Sequence, residues 1–283
     1  MEKITISLVS PCASIDEDIL KKAHTNLINY NYELDKDTVI RHGKPAFING
    51  SKEERINELI EHEESHKTDA IWCIRGGVGA IELIKDYKPA KKQSILIGFS
   101  DVTILHLYRF LYDKRVGLHA PVAHQACDEL EFKILNSLLL KKSVSYPKLK
   151  LVNNFSKINL FGNLIVMNLS SLQSMLGAFD INIFKGAILA IEDNNIKHYQ
   201  FYRAMHQLKN AGIFKSITGL IIGHIDNQRE ECLETIKDLS NIDNFALFDW
   251  PYFGHQSPNL ALIFGGLVNI IKITDNEYEL TYK

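Results

Sequence analysis

The chain of 283 residues is poor in the residues that most often announce a function. It has four cysteines, Cys12, Cys73, Cys127 and Cys232, scattered without a C-x-x-C pair. That spacing argues against a disulfide framework and against cysteine-held zinc, and reduced thiols suit a cytoplasmic protein. Neither sign of charge is in excess: 32 Lys and Arg stand against 34 Asp and Glu, a formal net charge of -2. There is no basic stripe to attract nucleic acid, and no acidic or low-complexity tail that would stay unfolded. Long apolar runs are missing too. The longest, "LALIFGGLVNIIKI", is interrupted by two glycines and an asparagine, and it falls short of the roughly 20 residues that span a bilayer. The opening "MEKITISLVS" enters a strand-like run with no charged-then-apolar leader. A cytoplasmic protein with no membrane or nucleic-acid partner is expected. No internal repeat, P-loop lysine or complete G-x-G-x-x-G is present.

What is present is alternation. Apolar β-rich runs, "KITISLVS", "DAIWCIR", "SILIGF" and "VGLHAP", alternate with helical patterns, "IDEDILKKAHTNLINY", "SKEERINELIEHEESH" and "VTILHLYRFLYD". Strands alternating with helices of this length predict βαβ units and a parallel sheet. The charged stretch "LKKSVSYPKLKLVNNFSK" separates this half from a second. That second half has strands "GAILAIED", "TGLIIGHI", "FALFDW" and "YELTY", and a long helix stopped by Gly212. The expected fold class is α/β. Residues 1–140 form an N-terminal Rossmann-like domain, 141–157 a linker, and 158–283 a smaller C-terminal α/β domain.

One short motif invites a metal reading. "HEESH", His62 to His66, spells the H-E-x-x-H of zinc peptidases. The apolar stripe of its helix is Ile56, Leu59 and Ile60, so both histidines fall on the flank of the stripe, in a last turn that reads as charged and solvated. No third ligand is spaced downstream. A surface helix end is the expectation, with no metal and no cofactor.

The ends of the apolar strands are richer, because chemistry in open α/β sheets gathers outside the carboxyl ends of strands. "ILIGFSDVT" places Ser100 between a strand and a helix, the layout of a nucleophile elbow, although G-x-S-D only partly matches G-x-S-x-G. The helix start behind it offers N–H groups and a positive dipole end for an oxyanion. Capping of that helix is the competing role for Ser100. "AILAIEDN" ends on Glu192 and Asp193, and "FDWPYFGHQSPN" presents His255 after Gly254. His106, His119 and His224 are rival bases on spacing alone, but His106 lies well inside its helix. The order Ser100, Glu192, His255 is the nucleophile–acid–base order of α/β-hydrolases. The glycines of "RGGVG", Arg75 to Gly79, let backbone approach a ligand, so Gly76 or Gly77 can supply a second oxyanion donor.

"IRGGVGA", "GFSDVT", "AIEDNNIKHYQFYRAMHQLKNAGIF" and "FGHQSPN" resemble, in order and spacing, the LD-carboxypeptidase family. That family comprises cytoplasmic muramoyl-tetrapeptide carboxypeptidases and microcin-immunity peptidases. The resemblance covers nearly the whole chain. It implies a Ser-Glu-His triad of Ser100, Glu192 and His255, with oxyanion donors at the backbone of Asp101 and of Gly76–Gly77. It further implies a site between two domains, a homodimer, and a murein tetrapeptide substrate cut before its terminal D-alanine. Arg75 and Asn168 are the expected substrate contacts. Val78, Ala120, Val166, Met167 and Ile196 depart from the pattern and are expected to bear on the substrate cleft. The alternatives are a microcin-immunity peptidase acting on aminoacyl-nucleotide analogues, for which no aromatic-bearing insertion is evident, and an idle homologue that binds murein peptides without turnover.

Overall fold

The computed structural model describes residues 3–92, 94–155, 159–226 and 228–283. It divides into two units of near-equal length, Met1–Lys141 and Lys142–Lys283. Residues 156–158, which end the expected linker and begin the expected second domain, lie outside the described residues.

In the first unit the apolar runs become strands β1 (Thr5–Val9), β2 (Glu33–Leu34), β3 (Ala70–Cys73), β4 (Ile95–Ile97) and β5 (Gly117–His119). Helices α1 (Glu17–Asn29), α2 (Lys52–Glu64), α3 (Val102–Asp113) and α4 (Glu129–Leu139) alternate with them. All pairings are parallel, in the order β2-β1-β3-β4-β5. Every residue of β3 and nearly all of β1 is buried, as continuous apolar runs must be when helices cover both faces of a sheet. This is a doubly wound order whose direction of winding reverses between β1 and β3, and ligands bind at such switch points. The loops after β1 and β3 both start there.

Helix α2 departs from the sequence expectation. Its capping box forms as expected, with Ser51 and Glu54 bonded reciprocally. Its end, however, is not a solvated surface. His62 is 4% exposed and Glu63 is fully buried. The Glu63 carboxylate accepts from the Tyr87 hydroxyl and from the Ala90 N–H at 2.6 Å, and it lies 3.2 Å from the Arg109 guanidinium. These partners come from later segments that no local pattern reveals. The helix stops at Glu64 with Ser65 extended, so His66 is not on the helix that carries His62. Two histidines one turn apart on one helical face, the geometry the motif needs, are therefore absent. Among the described residues no cluster of three or more His, Cys, Asp or Glu is placed to hold a metal ion.

The second unit contains β6 (Leu149–Leu151), β7 (Asn159–Asn168), α5 (Leu169–Met175), β8 (Ile188–Asp193), α6 (His198–Asn210), α7 (Ile213–Ser216) and β9 (Gly219–Ile225). It continues with α8 (Arg229–Asp243), β10 (Ala246–Asp249), β11 (Leu262–Phe264), β12 (Leu267–Lys272) and β13 (Glu277–Tyr282). Seven of these strands close a barrel in the order β10-β6-β13-β12-β7-β8-β9. The run β7 to β10 is parallel and the other pairings are antiparallel. The second domain of the expected α/β pair takes a particular form. The second unit is a closed barrel as long as the first, and the stretch expected as a linker supplies a strand, β6. Closure pairs every edge, so these short apolar strands leave none open to aggregation. Val166 and Met167 are fully buried in β7. Among the described residues no helix is long and apolar enough to cross a membrane.

Candidate active site

In the first unit, β4 delivers the chain to Gly98-Phe99-Ser100-Asp101, and α3 begins at Val102. Ser100 sits at φ 61, in the left-handed region. A non-glycine residue there stores backbone strain, and such strain gathers at functional sites. Bonds to α3 hold the turn: the Ser100 carbonyl accepts from the Thr103 N–H at 3.0 Å and the Thr103 hydroxyl at 2.6 Å. Asp101 is the N-cap of α3 and no side chain caps the helix, so the Ser100 hydroxyl does not serve that role.

The glycine loop after β3 lies against this turn. A Cβ on Gly76 would stand 2.9 Å from Ser100 Cβ and 3.3 Å from its Oγ, and one on Gly77, at φ 99, would stand 2.5 Å from Ala13 Cβ. Only glycine lets the backbone come this close. The loop is fixed from three sides. The Ala13 N–H donates to the Gly76 carbonyl at 3.1 Å. The Asp101 carboxylate accepts from the Ala80 N–H at 2.8 Å. Arg55, fully buried on α2, donates from one nitrogen to the Pro11 and Gly79 carbonyls at 2.8 and 2.9 Å. The serine turn and the glycine loop are thus joined through the side chain of Asp101. Burial raises the pKa of that carboxyl, against the Ala80 N–H, the Cys12 thiol and Arg55, which lower it. Arg75 donates to the Ser14 carbonyl at 3.0 Å, and Val78 is 45% exposed at the tip of the loop.

In the second unit, Glu192 is fully buried near the end of β8, and its Oε2 lies 2.6 Å from His255 Nδ1. The structure thus brings together two residues 63 positions apart. Gly254 permits the approach: at φ 116, a Cβ there would meet Glu192 Cβ and Oε2 at 2.8 Å. Parallel pairing of β7 with β8 sets Asn168 directly beside Glu192. Asn168, expected to contact substrate, is buried, and its amide is engaged by the start of α5 and the end of β8. Its Oδ1 accepts from the Ser171 N–H at 3.0 Å, capping α5, and its Nδ2 donates to Glu192 at 3.2 Å and Asp193 at 3.3 Å. Asp193 also accepts from the Ser170 N–H and hydroxyl at 2.9 and 2.7 Å. Burial by itself would lower the pKa of His255. The bond to Glu192 and the charges of Glu192, Asp193 and Asp226 outweigh it, and the imidazole titrates above its ordinary 6.5.

The rival histidines are committed elsewhere. His106 Nε2 donates to the Gly98 carbonyl at 3.0 Å, and burial pushes its pKa down to about 4. His119 is fully buried, edge-on to Phe99. His224 is bonded to the loop that carries His255. Arg55 escaped the sequence reading, and the sequence singles out Asp193 and His224 only as a strand-end carboxylate and a rival base, without the partners they have here. For Arg55 a signal existed, a charged residue one turn from Leu59 on the apolar stripe of α2. For Asp193 the partners are the Asn168 amide and the Ser170 N–H and hydroxyl on a neighbouring strand and helix, and for His224 they are backbone groups of a later loop.

A strained serine at a strand–helix turn beside close-approach glycines, and a buried carboxylate on an imidazole, are parts that serine hydrolases combine. Comparison with known proteins narrows the class. The N-terminal domain of LD-carboxypeptidases matches residues 6–120 and the C-terminal domain matches residues 161–270. The chain belongs to the LD-carboxypeptidase family. It is 24% identical to the murein tetrapeptide carboxypeptidase of Pseudomonas aeruginosa, over 92% of this chain and 91% of that one. It is 26% identical to a probable murein peptide carboxypeptidase of Bacillus subtilis, over 92% of this chain and 86% of the relative. In fold it is similar to the muramoyltetrapeptide carboxypeptidase of Oxalobacter formigenes, with TM-score 0.83 and 19% identity over 98% of both chains. The microcin C7 self-immunity protein MccF gives TM-score 0.81 and 18% identity, over 99% of this chain and 96% of that one.

Proposed function

We propose that this chain is a serine LD-carboxypeptidase that removes the terminal D-alanine from murein tetrapeptides. The observation that carries the reading is Ser100, held at φ 61 with the glycine loop against its Oγ. Ser100 attacks the amide carbonyl, and Nε2 of His255 takes its proton. The Glu192 carboxylate on Nδ1 fixes the tautomer and stabilises the imidazolium that forms. The N–H groups of Asp101 and of the Gly76–Gly77 loop hold the oxyanion, and His255 then protonates the departing D-alanine amine. Water, activated by the same imidazole, hydrolyses the acyl-enzyme. No cofactor enters these steps. Asn168 is assigned to orienting Glu192, and Arg75, at the start of the glycine loop, is assigned to a substrate carboxylate.

Murein is favoured over an aminoacyl-nucleotide by the names of the two sequence relatives given above. Fold likeness does not separate the two, since TM-scores of 0.83 and 0.81 are equivalent. A cytoplasmic location and a homodimer belong to the same proposal. The four cysteines, all free, suit a reducing compartment. The test is mass spectrometry of a defined murein tetrapeptide incubated with wild type and with Ser100→Ala. Wild type should release one alanine, and the variant should be slower by several orders of magnitude. Equal release by both ends the proposal.

A further inference from the structure

The segment that carries His255 runs from the end of β10 through Pro251–Gln256 without a ladder partner of its own, and His224 spans it. The His224 N–H donates to the Phe253 carbonyl at 2.8 Å. Its ring bridges the two ends of the segment, with Nε2 3.0 Å from the Pro251 carbonyl and Nδ1 accepting from the Gln256 N–H at 3.1 Å. A carbonyl can only accept and a backbone N–H can only donate. The proton must therefore sit on Nε2, and Nδ1 must be bare. Only the neutral imidazole, in that one tautomer, satisfies both ends.

We propose that His224 is a positioning residue for the base: a neutral imidazole locked in the Nε2–H tautomer, clamping the segment on both sides of His255 so that the imidazole of His255 meets Glu192 and the nucleophile in register. This rests on His255 being the base of the reaction. Fixing a ring requires both its Cα and one ring atom. Glu192 holds the ring atom and the clamp holds the Cα, helped by Gly254, whose N–H donates to Asn259 at 2.9 Å, and by the Gln256 side chain on Asp226. A displacement of about 1 Å at a reacting group costs on the order of 10²-fold in rate. The surroundings keep His224 neutral. Burial is the largest influence and lowers its pKa, Arg229 and His255 lower it further, and the Pro251 carbonyl and Asp226 oppose them.

The experiment uses the full chain and four variants. His224→Phe keeps the ring volume and removes both bonds. His224→Asn restores an acceptor where Nδ1 stood. Ser100→Ala and His255→Ala are controls for the triad itself. The readouts are kcat and KM on the murein tetrapeptide, the rate at which a fluorophosphonate labels the serine, melting temperature, and 15N-histidine spectra of the wild type. Expected are a bare Nδ1 and a protonated Nε2 at His224, kcat and labelling of His224→Phe reduced about 10²-fold at unchanged KM, and recovery to within tenfold of wild type in His224→Asn. A lower melting temperature with wild-type kcat in His224→Phe would reduce the residue to a structural role and overturn the proposal, as would equal losses in the Phe and Asn variants, or a proton on Nδ1. If Ser100→Ala or His255→Ala keeps full activity, the triad reading has failed and the proposal falls with it. If both controls are dead and His224→Phe is not impaired, only the clamp has failed.

Discussion

Replacing Glu192 by glutamine keeps the shape of the site and reverses one hydrogen bond, and the structure dictates which one. The Ser171 N–H donates to Asn168 Oδ1 at 3.0 Å, so the other end of that amide, Nδ2, faces Glu192 at 3.2 Å. An amide nitrogen can only donate. In Glu192→Gln the side-chain oxygen must therefore turn to Asn168, and the new NH₂ is left against His255 Nδ1, where the carboxylate oxygen now stands at 2.6 Å. That NH₂ donates to Nδ1, so Nδ1 must be bare and the proton of a neutral imidazole moves to Nε2. The nitrogen that should take the serine proton then already carries one. The same reversal in the Ser-His-Asp triad lowers kcat about 10⁴-fold with the geometry intact. At 1.36 kcal/mol per tenfold that is about 5 kcal/mol of barrier. We expect a loss of this size in kcat at neutral pH on a murein tetrapeptide, with KM nearly unchanged. The hydrogen bond and charge of Glu192, which raise the His255 pKa, disappear as well, and burial is then opposed only by the charges of Asp193 and Asp226. The residual activity should therefore keep its plateau to lower pH than wild type. A kcat within tenfold of wild type would refute the reasoning, because the carboxylate would then not be setting the tautomer.

Two further outcomes follow from the same geometry. Gly76→Ala puts a methyl 2.9 Å from Ser100 Cβ and 3.3 Å from Oγ, forcing the loop off the serine. Losing one oxyanion donor costs about 10²- to 10³-fold in kcat, and steady-state rates at the wild-type level would remove the loop from the oxyanion hole. The pH profile of kcat/KM should fall on its acid side with a midpoint above 6.5, because the base must be neutral and His255 titrates above that value. The corresponding stability has the opposite sense. Stabilisation of the charged imidazole is fully present below the unfolded pKa and is lost as pH rises through the folded one. An acid limb centred at or below 6.5 would contradict the pairing with Glu192.

The parts of this protein that could be read in its sequence are those whose cause is local. "ILIGFSDVT" carries its own strand, turn and helix start, so the position of Ser100 follows from a dozen residues. Glu192 and His255 could be singled out because each ends an apolar run, where a side chain leaves the sheet. What could not be read depends on partners set by long-range pairing. Closure of the barrel requires Leu149–Leu151 to sit between two strands more than ninety residues later, β10 and β13, and three residues in a charged stretch give no sign of it. Asn168 meets Glu192 only because β7 and β8 pair in that register. The end of α2 looked solvated because "EHEESHK" is charged, yet Glu63 is buried under Tyr87, Ala90 and Arg109. A charged run predicts a surface only where no distant cation or donor comes to cover it.

The residues around the candidate catalytic groups share a device. Asp101 is aimed by the Ala80 N–H, Asn168 by the Ser171 N–H, and His224 by the Gln256 N–H on one side and the Pro251 carbonyl on the other. Each is a side chain that could in principle face two ways, or carry its proton on either of two atoms. Each is tied to a main-chain group that can only donate or only accept. Main-chain polarity is fixed by the fold, so it passes a definite orientation to the side chain, and the side chain passes it to Glu192, to His255 or to the loop beside Ser100. In such an arrangement volume matters less than the direction of each hydrogen bond. Amide-for-carboxylate exchanges, which change no volume, should then damage the site more than exchanges of one apolar side chain for another at Val166 and Met167, which are fully buried in β7 and carry no hydrogen-bonding group.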